Sequence, residues 1–447
     1  MVKPRIVVIG AGSTEFTPGL IADLAATPRL HGATLALVDV VPERVETMAR
    51  FAERVIRERG VDLRIEAATD RREVLPGASF VTATIAVGGA SGWETDVRIP
   101  ERYGIHQTVG DTVGPGGVLR ALRHVPVLVA LARDMEELCP EAWLFNYTNP
   151  MSVLVRAVHK TSPIRCAGLC HGALHSRAMI ARDLGIPARE LNFRSAGLNH
   201  LAWVLDLRHH GEDLYPHFRE LVRAGLRAAD PDADGDPYEI FQQVSARVME
   251  LYGLYPIPGD RHVAEFFPFF LRRRDDRLDF GTQPSLDMTN AILWGKDELW
   301  ERITAQADGR VPLDPELFDE DGEGERLVKI IEAIVYDDPI TEIAVNVRND
   351  GLLANLPHEA VVEVPGLIDG FGVHGLSVGE LPPGIADVLR RRISQQELTV
   401  AAAVAGDPHL ALQAILADPL VQDLRTARDM LDAMLSAHAA TPALQRA

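Results

Sequence analysis

Cys170 and His200 are the residues best suited to chemistry in this chain. They stand in Gly168-Leu169-Cys170-His171-Gly172 and Gly197-Leu198-Asn199-His200. A thiolate and an imidazole together suit a divalent transition metal. Each is ambiguous alone, since a buried cysteine is usually a small hydrophobe. Two ligands cannot close a structural zinc site, so a substrate would have to complete the shell. Cys139 and Cys166 show no such partner and read as structural.

A second constellation lies at the start. Gly10-Ala11-Gly12-Ser13 follows an apolar run and precedes a helical one. Glycine there lets the backbone turn tightly and approach a pyrophosphate, which then sits at a helix N-terminus. Glu15 replaces the third glycine of the usual pattern. Asp39 closes the second strand at about the expected distance and can accept from a ribose 2′-hydroxyl. An acid there favours NAD over NADP. A nicotinamide site beside a metal site implies chemistry that uses both.

Three further segments carry polar groups. Asn146-Tyr147-Thr148-Asn149-Pro150 ends a strand on the side where ligands bind in such folds, so Asn149 is a candidate for a sugar hydroxyl or a cofactor amide. Gly110 to Gly117 is too glycine-rich for regular structure and reads as a loop close to a ligand, with Asp111 and Thr112 at its tip and helix starting near Val118. Pro258 to Glu265 reads as a loop with Asp260, Arg261, His262 and Glu265, a cluster that can supply a base of tuned pKa.

These groups need a frame. Arg5–Ile9, Thr34–Asp39, Phe80–Val87 and Ala142–Phe145 read as buried strands. Thr17–Ala26, the Val45/Met48/Ala52/Val55 stripe and Val125–Leu131 read as helices. The alternation predicts an α/β chain with an N-terminal Rossmann-like, doubly wound parallel sheet. The rhythm then breaks. Leu201–Leu207, Ile343–Val347 and Ala360–Val364 read as strands, and the chain is helical from Ile385 onward. The expected division is an NAD-binding domain over 1–195 and a mixed α/β substrate- and metal-binding domain over 196–447. Asp230–Pro237 begins like a calcium loop, but Phe241 stands where Glu is needed, so it reads as a solvated loop. Asp319–Glu325 is a second acidic loop.

Bulk properties narrow the function class. The 447 residues exceed one core, and 47% apolar with 24% charged residues fits a globular protein. A formal charge of −19 disfavours nucleic acid and anionic membrane as partners. No apolar run approaches the ~18 residues of a membrane span. The start runs straight into a strand, leaving no room for a signal peptide, and three cysteines without a secretion signal point to the cytoplasm.

Together these residues resemble glycoside hydrolase family 4, the NAD- and manganese-dependent glycosidases. The likeness covers nearly the whole chain. It includes the glycine turn, Asn146 to Pro150, the Cys170 segment, Asn199-His200 and Gly259 to Glu265, then Asn346, Asn349, Gly351, Asn355-Leu356-Pro357 and Val362 to Pro365. The family is an exception to two-carboxylate glycoside hydrolysis.

The resemblance implies a fold like that of lactate and malate dehydrogenases. It implies hydride transfer from sugar C3 to NAD, removal of the C2 proton, elimination of the aglycone, water addition and return of the hydride. Cys170 and His200 match the metal ligands, Mn2+ or another divalent transition metal. Asn149 and His171 match substrate-binding positions, and His171 is also a catalytic candidate. Asp260 is the favoured base, with Tyr255 and Tyr252 as rivals. The Cys-His-Gly and Gly-Asp-Thr segments look like the branch acting on unphosphorylated α-galactosides, α-glucosides or α-uronides. Asp111, if it faces C6, repels a 6-phosphate and a uronate alike, which directs the expectation to neutral hexosides. The family tends to homo-dimers and tetramers, and the helices after Ile385 could supply an interface. Two rival readings stay open: an NAD-dependent hydroxy-acid or sugar dehydrogenase, and a non-catalytic NAD- or sugar-binding regulator.

Overall fold

The computed structural model describes residues 3–228, 242–274, 277–278, 280, 282, 297–318 and 326–439. The acidic loops at 230–237 and 319–325 lie outside them.

One thirteen-stranded sheet carries the molecule. Its first half is parallel: β1 (Arg5–Ile9), β2 (Thr34–Val38), β3 (Arg64–Ala68), β4 (Phe80–Ala83), β5 (Trp143–Asn146) and β6 (Arg165–Gly168), in the spatial order β3-β2-β1-β4-β5-β6. That is the doubly wound nucleotide-binding order. Helices α1 (Thr17–Ala26), α2 (Pro42–Arg59), α3 (Gly89–Arg102), α4 (Gly114–Leu138), α5 (Met151–Thr161) and α6 (Gly172–Leu184) connect and cover it. The strands are apolar along their length because both faces are covered. In α2, Val45, Met48, Phe51, Ala52 and Val55 form a buried stripe at helical spacing, and Gly60 ends the helix in the left-handed region. Phe51 is fully buried, so Phe51→Ala would cost about 3–5 kcal/mol.

The sheet continues without a break past residue 195. Strands β7 (Asn192–Leu198), β8 (Leu201–His209), β9 (Glu212–Asp213) and β10 (Pro256–Ile257) extend it, together with β13 (Ile340–Arg348), β14 (Val361–Asp369) and β15 (Gly372–Gly375). A separate two-stranded ribbon pairs β11 (Arg273–Arg274) with β12 (Arg277–Leu278). β13 pairs antiparallel with β6, β14 with β13, and β7 with β14. Helices α7 (Tyr215–Ala228), α8 (Gln243–Tyr252), α9 (Asp260–Ala264), α10 (described over 297–307), α11 (Arg326–Tyr336), α12 (Pro383–Ala405), α13 (Pro408–Leu416) and α14 (Leu424–Ala439) complete the described elements. α12 lies on α4 and α5, and α14 on α3. No helix among the described residues is long and apolar enough to cross a membrane.

Three local expectations change. β4 ends at Ala83, four residues before the expected end at Val87. Gly114 to Gly117 is the first turn of α4, not loop. A Cβ on Gly116 would lie 2.7 Å from the Gly110 carbonyl oxygen, and one on Gly117 2.6 Å from the Thr112 carbonyl carbon. The glycines therefore let the helix start press on segment 107–112. Asp260–Ala264 is a short helix where a loop was expected, with Gly259 before it at φ 150°.

Candidate active site

Sheet pairing assembles the site. Gly168, Asn346, Glu363 and Gly197 are register partners in one row across β6, β13, β14 and β7. Cys170 follows the first and Asn199-His200 follows the last, on strands that run in opposite directions. His200 forms the β7–β8 turn at φ 65°, a left-handed position that histidine tolerates better than most residues.

In the middle of the row, Glu363 is buried and its Oε2 accepts from Asn346 Nδ2 at 2.9 Å and Asn199 Nδ2 at 3.1 Å. Burial raises its pKa against those two bonds. The Cys170 Sγ accepts from Gly172 N at 3.4 Å. Burial and the nearby carboxylate of Glu363 push it up to about 12, so the free thiol is protonated at neutral pH.

Asp111, His200 and His262 converge, their ligand atoms all within 4.8 Å of one another. The Thr112 hydroxyl donates to Asp111 Oδ1 at 2.7 Å and lies 2.8 Å from His200 Nδ1. A hydroxyl has one proton, so His200 must donate from Nδ1 and carry its lone pair on Nε2. The His262 ring lies 3.9 Å from that of His200, and its Nδ1 is buried without a hydrogen-bond partner. Burial lowers the pKa of both imidazoles, keeping them neutral, the form that binds metal. Burial alone would raise Asp111, but the charge that His200 and His262 carry when protonated, with Arg120 and the Thr112 bond, outweighs it and holds the carboxyl at about 2.

Asn149 Nδ2 donates to Asp111 Oδ2 at 2.9 Å, and its Oδ1 is buried without a partner. His171 caps α6 and, with Tyr147, Cys170, Arg326 and Glu342, lines a cleft. Arg326 forms an ion pair with Glu342 there.

Asp260 and Tyr255 are placed differently. Asp260 accepts from Val244 N at 2.8 Å and Ser245 N at 2.7 Å, holding the start of α8. Burial lifts its carboxyl to about 6 against those bonds. Tyr255 is buried; burial and the Asp260 charge push its hydroxyl well above the usual range. Tyr252 packs edge-on against Trp203, 5.4 Å away.

The glycine turn has its own geometry. Gly10 sits at φ 88°, and a Cβ there would lie 2.5 Å from the Thr84 carbonyl oxygen. Gly12 N donates to Asp39 Oδ2 at 2.9 Å. Ser13 Oγ accepts from Phe16 N and the Ser13 carbonyl from Thr17 N at 3.3 Å, and the start of α1 has no side-chain cap.

Sequence reasoning missed His262 and Glu265 as individual site residues, although it singled out their segment. Glu265 Oε1 accepts from Val109 N at 2.9 Å and Gly110 N at 2.8 Å, gripping the backbone beside Asp111. Burial raises it to about 8. Arg261 Nη2 donates to Thr108 O at 2.9 Å, clasping the same two segments. Glu363 was noted only within an extended match; its lack of a nearby base in sequence gave no signal.

Comparison with known proteins agrees with this architecture. Residues 5–186 match the model of the family 4 glycosyl hydrolases, and residues 195–421 match that of the family 4 glycosyl hydrolase C-terminal domain. An alpha-galactosidase of Bacillus subtilis is 34% identical, covering 97% of this chain and 98% of its own. An alpha-glucosidase of Erwinia rhapontici is 30% identical, covering 97% of each chain. An alpha-galacturonidase of Bacillus subtilis is 33% identical, covering 96% of each. Among solved structures, a 6-phospho-alpha-glucosidase from gut microorganisms, in complex with NAD and Mn2+, superposes with a TM-score of 0.83 at 23% identity, covering 98% of this chain and 99% of its own. Malate dehydrogenase of Plasmodium falciparum shares the fold, with a TM-score of 0.51 at 14% identity over 91% of this chain and 99% of its own.

Proposed function

Since the chain belongs to the family 4 glycosyl hydrolases, and is thus a glycosidase, we propose that it cleaves unphosphorylated α-hexosides, α-galactosides or α-glucosides first, by an NAD-dependent elimination. The observation that carries this reading is the Asp111–His200–His262 cluster, with an unpartnered imidazole nitrogen; the Cys170 thiol lies outside that cluster, close enough for the Asp111 charge to act on it. Family membership also displaces the dehydrogenase and regulator readings.

The donor set fits a divalent transition metal such as Mn2+: carboxylate and imidazole, with a thiol nearby. Cys170, His200, His262 and Asp111 would hold it. Gly10, Gly12 and the uncapped start of α1 fit a dinucleotide pyrophosphate, and Asp39 its ribose; a solved relative of this fold is described with NAD and Mn2+. When bound, NAD accepts and returns a sugar hydride while the metal polarises the sugar oxygens.

The chain's own residues do the rest. Asn149, with a free amide oxygen, accepts from a sugar hydroxyl; His171 contacts the sugar from the cleft wall. Asp260, lifted to about 6, is the proposed base, and it would first have to release the α8 amides that both its oxygens now accept. Tyr255 keeps its proton well above neutrality, which leaves it the weaker rival. With Asp111 spent on Thr112, Asn149 and the imidazoles, its charge is a poor sensor of C6. An α-galacturonide is therefore the second reading, favoured by the 33% identical alpha-galacturonidase.

Hydrolysis of p-nitrophenyl α-glycosides, neutral, uronic and 6-phosphorylated, with NAD+, Mn2+ and dithiothreitol each added or withheld, tests this. Release that needs all three supports it; release independent of NAD+ and metal overturns it. A homo-dimer or tetramer is part of the proposal, supported by Phe371, 82% exposed at the β14–β15 turn, and sedimentation tests it.

A further inference from the structure

Far along β8 from His200, a second set of metal-binding side chains converges. His209 ends β8 and His210 begins the two-residue turn into β9. Consecutive side chains on a strand point to opposite faces. Here they do not, because His210 lies at φ 48° and Gly211 at φ 88°. Both are left-handed, the signature of the tight hairpin turn whose twist matches the strands. The turn swings the His210 ring back onto that of His209, with centroids 4.1 Å apart. Both rings then address one carboxylate from the short helical turn before β7. Glu190 Oε2 lies 3.1 Å from His209 Nε2 and 3.8 Å from His210 Nε2.

These spacings are those of a metal polyhedron. Bonds of about 2.1 Å in a tetrahedron place neighbouring ligand atoms about 3.4 Å apart. The two measured distances bracket that edge, and all three ligand atoms lie within 4.8 Å of one another. Hydrogen bonding explains only one imidazole, since 3.8 Å is too long for the second.

We propose that Glu190, His209 and His210 form a surface site for one divalent transition metal, Zn2+ foremost, independent of the catalytic cluster. Three protein ligands leave the fourth vertex to water. The side chains of His209 and Glu190 are 24% and 36% exposed and that of His210 77%, so the ion enters without rearrangement of the core. Bound metal would staple the turn before β7 to the β8–β9 hairpin, bracing the strand pair whose other end carries His200.

Equilibrium dialysis of the full chain against Zn2+ tests this, with bound metal counted per chain. His210→Asn keeps a residue that tolerates the left-handed turn and removes a ligand. Glu190→Gln removes the anionic ligand without touching the turn. Both variants should bind one equivalent less than the unmodified chain, or bind it at least tenfold more weakly, with unchanged far-ultraviolet circular dichroism and glycosidase activity. Identical zinc number and affinity in the folded variants and the unmodified chain would overturn the site.

Discussion

The imidazoles of His200 and His262 lie with ring centroids 3.9 Å apart and 41° between their planes, and each offers a nitrogen toward the carboxylate of Asp111. The Thr112 hydroxyl ties Asp111 to His200, while His262 Nδ1 is left without a partner. A buried imidazole nitrogen in that state costs free energy unless something completes it.

His262→Ala should therefore weaken Mn2+ binding by roughly 10–100-fold or more, the range seen even for groups one shell removed from a metal. His262→Gln should restore part of it. Calorimetric titration with Mn2+ measures both. Unchanged affinity in His262→Ala would remove His262 from the ligand set.

Metal uptake should release a proton. The Cys170 thiol, pushed up to about 12, must ionise to ligate, whereas His200 and His262 are already neutral at pH 7. Affinity for Mn2+ should then rise about tenfold per pH unit between pH 6.5 and 8.5, one proton being linked. In Cys170→Ala the slope should vanish along with much of the affinity. A flat profile in the unmodified protein would show that the thiol stays out of the coordination shell.

Gly10→Ala should abolish dinucleotide binding while leaving a folded chain. Its methyl group would meet the Thr84 carbonyl oxygen at 2.5 Å in a left-handed backbone position, so the turn must open. Asp39→Ala should act differently. NAD+ should bind several-fold more weakly and NADP+ better, since the acid that repels a 2′-phosphate is gone. Fluorescence titration with each dinucleotide separates the two cases, and an Asp39→Ala chain with unaltered preference would contradict the assignment.

Glu265 makes stability depend on pH in a defined direction. Burial lifts its folded carboxyl to about 8 from an ordinary 4.5. Between those values the folded state keeps a proton that the unfolded state has lost. Stability from this group thus falls as pH rises through that window, at most about 1.4 kcal/mol per pH unit. Glu265→Gln, whose carbonyl oxygen can still accept from Val109 and Gly110, should flatten the fall. Melting temperatures of both proteins from pH 5 to 8.5 decide it; parallel curves would mean that Glu265 is ionised in the fold.

Much of the frame was legible in the residues. Arg5–Ile9, Thr34–Val38 and Thr17–Ala26 form the strands and helix their apolar runs announce, because those runs match the period of the element that buries them. Two local signals misled. Glycine in 114–117 suggested a loose loop, whereas it serves close packing at the start of α4. Segment 258–265 read as a loop, whereas it holds a short helix whose acids are drawn inward by partners elsewhere: Asp260 by α8, Glu265 by the amides of 109–110.

The strands and helices of the parallel sheet, the glycine turn and Asp39 as its partner were legible in apolar runs and in residue types at recognisable spacings. Which groups meet at the site follows from pairing between distant strands. The row Gly168–Asn346–Glu363–Gly197 exists because β13, β14 and β7 pair antiparallel in one register, and a slip of one residue would turn Glu363 to the other face. No local pattern encodes that register; it is set by burying both faces of the whole sheet at once.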